Sequence, residues 1–117
     1  MKISTLPLLL SLLAFQAHAA DTSAAAALAV VSELGQANGQ ALACGDMTAA
    51  ARAKALMLRH SPRTPAYGAA FEEATQQGFL SQVKAQAAAC PNAQAIAERM
   101  DAVTMRLNET LPATEPR

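Results

Sequence analysis

The sequence predicts an all-α fold: a small disulfide-stapled four-helix bundle, regular or irregular, behind a cleaved signal peptide. Three observations lead there. Alanine-rich segments carry apolar residues at helical spacing, Gly and Pro clusters interrupt them at three points, and two cysteines fall at two of the interruptions.

The N-terminus reads as an export signal. Lys2 is the basic start, Leu6 to Phe15 is an apolar run, and Ala17 and Ala19 put small side chains at the −3 and −1 positions of a signal-peptidase cut. An apolar run of about ten residues falls short of the roughly 18 to 20 needed to cross a bilayer. No cysteine follows it to take a lipid anchor, and no later stretch is apolar enough to span a membrane. The expected organisation is therefore residues 1–19 as signal peptide, 20–111 as one helical domain and 112–117 as a disordered tail, with a periplasmic or secreted product.

Four helices follow in order. Asp21-Thr22-Ser23 supplies N-cap candidates for a first helix from Ala24 to about Ala43, with Leu28, Val31, Gly35, Asn38 and Leu42 on one face. Gly35 and Gly39 would clear a strip for a close helix approach, or simply be tolerated at a cost of about 1 kcal/mol each. Gly45-Asp46 ends this helix and caps a second from Met47 to Arg59 or His60, burying Ala49, Ala53, Leu56, Met57 and His60. Pro62 stops it. Thr64-Pro65 then starts a long third helix, to about Ala89, with Tyr67, Phe71, Thr75, Phe79, Val83 and Ala87 as its apolar row. Pro91 suits the first position of the fourth helix, whose stripe is Ala93, Ile96, Met100, Val103, Leu107 and Leu111.

Cys44 and Cys90 are most simply a disulfide in an exported chain. A free reactive pair or thiolate metal ligands are the alternatives. Closing a loop of about 46 residues stabilises by about 4 kcal/mol in the chain-entropy model. That matters for a core of small alanines, which bury little area each. Short connections make consecutive helices antiparallel, so an up-down-up-down bundle places both cysteines at the same end.

Composition restricts the function. Nine basic residues balance nine acidic ones, which gives no electrostatic reason to expect nucleic acid as a partner. The mature part has one histidine, His60, read as a cap on the carbonyl end of its own helix. Glu72 and Glu73 are neighbours on a helix and diverge by about 100°, which is wrong for a proton-sharing pair. No nucleophile–base set assembles, so no enzyme, no cofactor and no metal is expected. Met57 and His60, at i and i+3, are the candidates for a copper-type site, against which Met57 reads as core filling.

The charge bias of the chain runs from Arg52 to Arg63, and it defines a candidate contact surface at the helix 2–3 corner: Arg52, Arg59, His60, Arg63 and Tyr67. Tyr and Arg are frequent interface anchors, and Pro62 and Pro65 would limit the entropy lost when a partner holds the loop.

An export signal, then a domain of about a hundred residues whose two cysteines enclose a mainly helical segment, resembles the small acid-stress chaperones of the bacterial periplasm. The resemblance covers the cysteine layout. The low charge and single His60 offer no equivalent of an acid switch, so no functional residue is carried over. The expected function is an exported, non-enzymatic protein-interaction module of the bacterial cell envelope: an accessory subunit, inhibitor, immunity protein or chaperone-like protein whose partner is another envelope protein. The alternative is a small-ligand or metal carrier, using Met57 and His60 or an apolar cavity between helices lined by Phe71, Phe79 and Met57.

Overall fold

The computed structural model describes the backbone of residues 7–113, and the side chains of 23–113 except that of residue 87. Residues 1–6 of the expected signal peptide and 114–117 of the expected tail lie outside the described residues. Four α-helices follow one another, α1 (Pro7–Ala43), α2 (Met47–His60), α3 (Pro65–Ala85) and α4 (Ala93–Thr110), with one turn of 3-10 helix at Ala87–Ala89. The fold is an all-α four-helix bundle, and among the described residues it contains no strand.

Helix α1 does not begin at Ala24. It is helical from Pro7 without a break, so Asp21-Thr22-Ser23 caps nothing. Alanines flank that triplet on both sides, and three residues of middling propensity do not stop a helix when no Gly or Pro accompanies them. The other end closes sharply. Gly45 adopts φ +73°, its N–H bonds to the Leu42 carbonyl at 3.2 Å, and the Asp46 N–H bonds to the Ala41 carbonyl at 2.8 Å. This is a Schellman closure, whose left-handed position glycine fills without steric cost. Asp46 then caps α2, its Oδ1 accepting from the Ala49 N–H at 3.0 Å. One corner thus needs three residues.

Two further boundaries differ from expectation. Helix α3 ends at Ala85, because Gln86 turns to φ 72°. Pro91 stands outside α4: Asn92 is the cap, its Oδ1 accepting from the Ala95 N–H at 2.8 Å, and the helix starts at Ala93. Proline had competed with a better cap residue beside it and lost the first helical position to Ala93.

Helix α1 is the hub. One side of it, with Val30, Leu34, Ala37 and Ala41, packs on Ala49, Ala50, Ala53 and Leu56 of α2 and on Ile96, Met100, Val103 and Leu107 of α4. Pairings of Glu33 with Arg106, Gln40 with Arg99 and Cys44 with Cys90 run α1 and α4 antiparallel. Arg52 meets Asp101, and His60 meets Leu111, so α2 and α4 are parallel. Cys44 and Cys90 are disulfide-bonded with Cα atoms 5.7 Å apart, joining the α1–α2 corner to the α3–α4 corner as the up-down-up-down order requires.

Helix α3 lies parallel to α1 on its other side, and the seam is made of glycine. A β-carbon on Gly35 would lie 2.6 Å from the Phe71 carbonyl oxygen; one on Gly39 would overlap the Thr75 carbonyl, and one on Gly78 the Gln36 carbonyl. Backbones approach there as only residues without a side chain permit. The seam decides which face of α3 is buried. Ala74 and Gln82 are buried and Gly78 half-buried, whereas Phe79, Leu80 and Val83 are 40%, 49% and 55% exposed. The expected apolar row of α3 is therefore only partly inward: Phe71, Thr75 and Tyr67 are half-buried, and the row turns outward at Phe79 and Val83. Close approach selects small side chains over large ones at the contact, and the bulky residues are displaced to the outside.

Candidate functional site

The predicted corner surface separates into two places. His60 and Arg63 line one hollow of about 480 Å³ with Leu58, Ser61, Pro62 and Leu111. Arg59 is exposed nearby in sequence, and Tyr67 is half-buried on α3. Arg52 belongs elsewhere. Its guanidinium lies 2.6 Å from Asp101 Oδ1 and 3.5 Å from Thr104 Oγ1, beside a smaller apolar hollow lined by Ala49, Ala93, Ala97 and Met100.

His60 is buried, and its Nδ1 donates to the Leu111 carbonyl at 2.8 Å. The carbonyl can only accept, which fixes the proton on Nδ1. The imidazole thus ties off the end of α4, not the end of its own helix. The up-down-up-down order brings the C-termini of α2 and α4 together; that His60 reaches across to α4 could not be read from the local pattern. Met57 and Phe71 pack against the core while Phe79 stands at the surface, so these three do not line one cavity. Among the described residues no three His, Cys, Asp or Glu side chains gather in a way that could hold a metal ion.

Two features that sequence reasoning missed are more distinctive. The first is the outer face of α3, where Phe79, Leu80 and Val83 form an exposed apolar patch on adjacent turns. The second is an open polar cleft of about 480 Å³ between α3 and α4, floored by α1 and lined by Gln36, Gln40, Gln77, Ser81, Gln82 and Arg99. Its amides are ordered by a relay. Arg99 donates to Gln40 Oε1 at 2.7 Å, Gln40 Nε2 donates to Gln82 Oε1 at 3.1 Å, and Gln82 Nε2 reaches the Gln86 carbonyl at 3.4 Å. The glutamines are scattered along the chain, and nothing local in their spacing announces that α1, α3 and α4 will converge on them.

Among the described residues no helix is long and apolar enough to cross a membrane. The chain matches no family model, and no curated protein or solved structure matches it.

Proposed function

We propose that this chain is an exported, non-enzymatic protein-interaction module of the bacterial cell envelope, and that the outer face of α3 is where it meets a partner protein bearing a complementary apolar surface. The observation that carries this reading is the exposure of Phe79, Leu80 and Val83. Burying a side chain of this size is worth about 1.5–3 kcal/mol, and a core built largely on alanine has little to spare. Contiguous apolar groups left in water are a mark of contact surfaces. The Cys44–Cys90 disulfide suits an oxidising compartment.

The test is affinity purification of the tagged protein from its own envelope, beside a Phe79→Ser/Val83→Ser variant and an Arg59→Ala/Arg63→Ala/Tyr67→Ala variant. The partner is expected with the parent chain and lost with the first variant, whose helical circular dichroism is retained with a melting temperature lowered by only a few degrees. Recovery by the first variant but not the second would move the contact to the α2–α3 corner, and recovery by both would refute either surface. Intact mass of the same preparation should show a chain beginning at Ala20; retention of residues 1–19 would overturn the cleavable signal.

A small-ligand carrier is the second reading, and the cleft around Arg99 favours it over any site at Met57 and His60.

A further inference from the structure

The seam between α1 and α4 repeats itself after two helical turns. At one rung Arg106 Nε lies 2.6 Å from Glu33 Oε2, an ion pair. Seven residues along each helix an arginine again reaches α1, but here Arg99 donates through Nη1 to Gln40, whose neutral amide oxygen sits at 2.7 Å where the first rung has a carboxylate. Among the described residues Arg99 has no ion-pair partner; the pairs formed are Arg52 with Asp101 and Arg106 with Glu33. The uncompensated cation sits where α3 and α4 part to leave the cleft.

From this we infer that the cleft is a binding site for a carboxylate, with Arg99 as its anchor. Gln40 takes one of the five guanidinium donors and holds the group in place, leaving the others for a planar anion that they match in fork geometry. One positive charge suits one carboxylate. The lining amides of Gln36, Gln77 and Gln82 and the Ser81 hydroxyl offer donors and acceptors to whatever adjoins it. The ligand class is thus a single carboxylate flanked by hydrogen-bonding groups, as at the C-terminus of a peptide or in a free amino acid. Gln82 is only 7% exposed and both ends of its amide are engaged, so this wall of the cleft is organised before a ligand arrives. The outer face of α3 plays no part here, and either assignment can fail alone.

Nuclear magnetic resonance titration of the oxidised protein tests this with three probes: acetylated trialanine with a free carboxylate, the same peptide amidated, and L-alanine. The acid should shift amide signals around Gln40, Gln82 and Arg99, and the amidated peptide should bind at least about tenfold more weakly, the loss of one charge-assisted contact. Binding of L-alanine as tight as the acid peptide identifies a free amino acid as the ligand type; binding of the peptide acid alone identifies a chain terminus. Gln40→Glu should complete the second rung internally, giving up the hydrogen bond to Gln82, and weaken the acid at least about tenfold while keeping the fold; Arg99→Gln, which removes the anchor, should weaken it likewise. Arg106→Gln should leave binding unchanged. Equal binding of acid and amide, undiminished binding by Gln40→Glu, or no binding of either carboxylate probe up to about 10 mM overturns the assignment.

Discussion

Gly39 lies so close to Thr75 that a β-carbon on the glycine would overlap the threonine carbonyl oxygen. The contact is backbone on backbone, between two parallel helices. Beside it Asn38, 2% exposed, donates to Thr75 Oγ1 at 3.2 Å, and among the described residues its own Oδ1 has no partner. Small residues set the distance in this seam, and the Asn38–Thr75 and Gln40–Gln82 hydrogen bonds tie its register.

Gly39→Ala should therefore destabilise the protein although alanine is the better helix former. Overpacking against a main-chain atom costs typically 1–3 kcal/mol, about enough to exceed the roughly 1 kcal/mol gained in propensity. Gly68→Ala on α3 is the control, since nothing lies within 4 Å of a β-carbon there. It should stabilise by about 0.5–1 kcal/mol. Urea unfolding at constant m separates the two; stabilisation by both substitutions would mean that the α1–α3 seam is loose.

Reduction of the Cys44–Cys90 bridge, or its replacement by Cys44→Ser/Cys90→Ser, should release about 4 kcal/mol of unfolded-state entropy across the 46-residue separation. For a domain of this size that corresponds to a fall in melting temperature of roughly 15–30 °C. Circular dichroism melts with and without reductant measure it. A fall of only a degree or two would show that the two corners are held together without the bridge.

His60→Ala should cost about 1–3 kcal/mol, the lost hydrogen bond to the half-buried Leu111 carbonyl together with the lost packing of a buried ring. Loss should concentrate at the end of α4, visible as faster amide exchange near Leu107 and Leu111. His60→Asn, which restores a donor at a similar reach, should recover part of it. Unchanged exchange in His60→Ala would remove the structural role and free the imidazole for another.

Helix α2 shows what could be read locally. Its cap at Asp46, its stop at His60 and its buried line of Ala49, Ala53 and Leu56 follow from a glycine, a proline and a period of 3.6. The buried line of α4 was legible in the same way, Ile96, Met100, Val103 and Leu107 forming one stripe. Both helices bury a single apolar face against the common core, so amphipathicity and burial coincide.

Helix α3 shows where that reasoning stops. Its largest apolar residues and its buried residues lie on different faces, because the partner surface on α1 is a glycine strip that admits only small neighbours. The cleft was further out of reach. Whether Gln40 faces solvent, a carboxylate or a guanidinium depends on where α4 lies, and helix placement comes from the summed packing of all four elements. Sequence by itself determined that the chain is helical, where α2 and the stripe of α4 lie, and that its two cysteines belong at one end, since these follow from local propensity and short connections. Tertiary structure alone decided which face of α3 meets water and that Arg99 meets the neutral amide of Gln40 where Arg106 meets a carboxylate, since both depend on distances between segments that the chain does not connect locally.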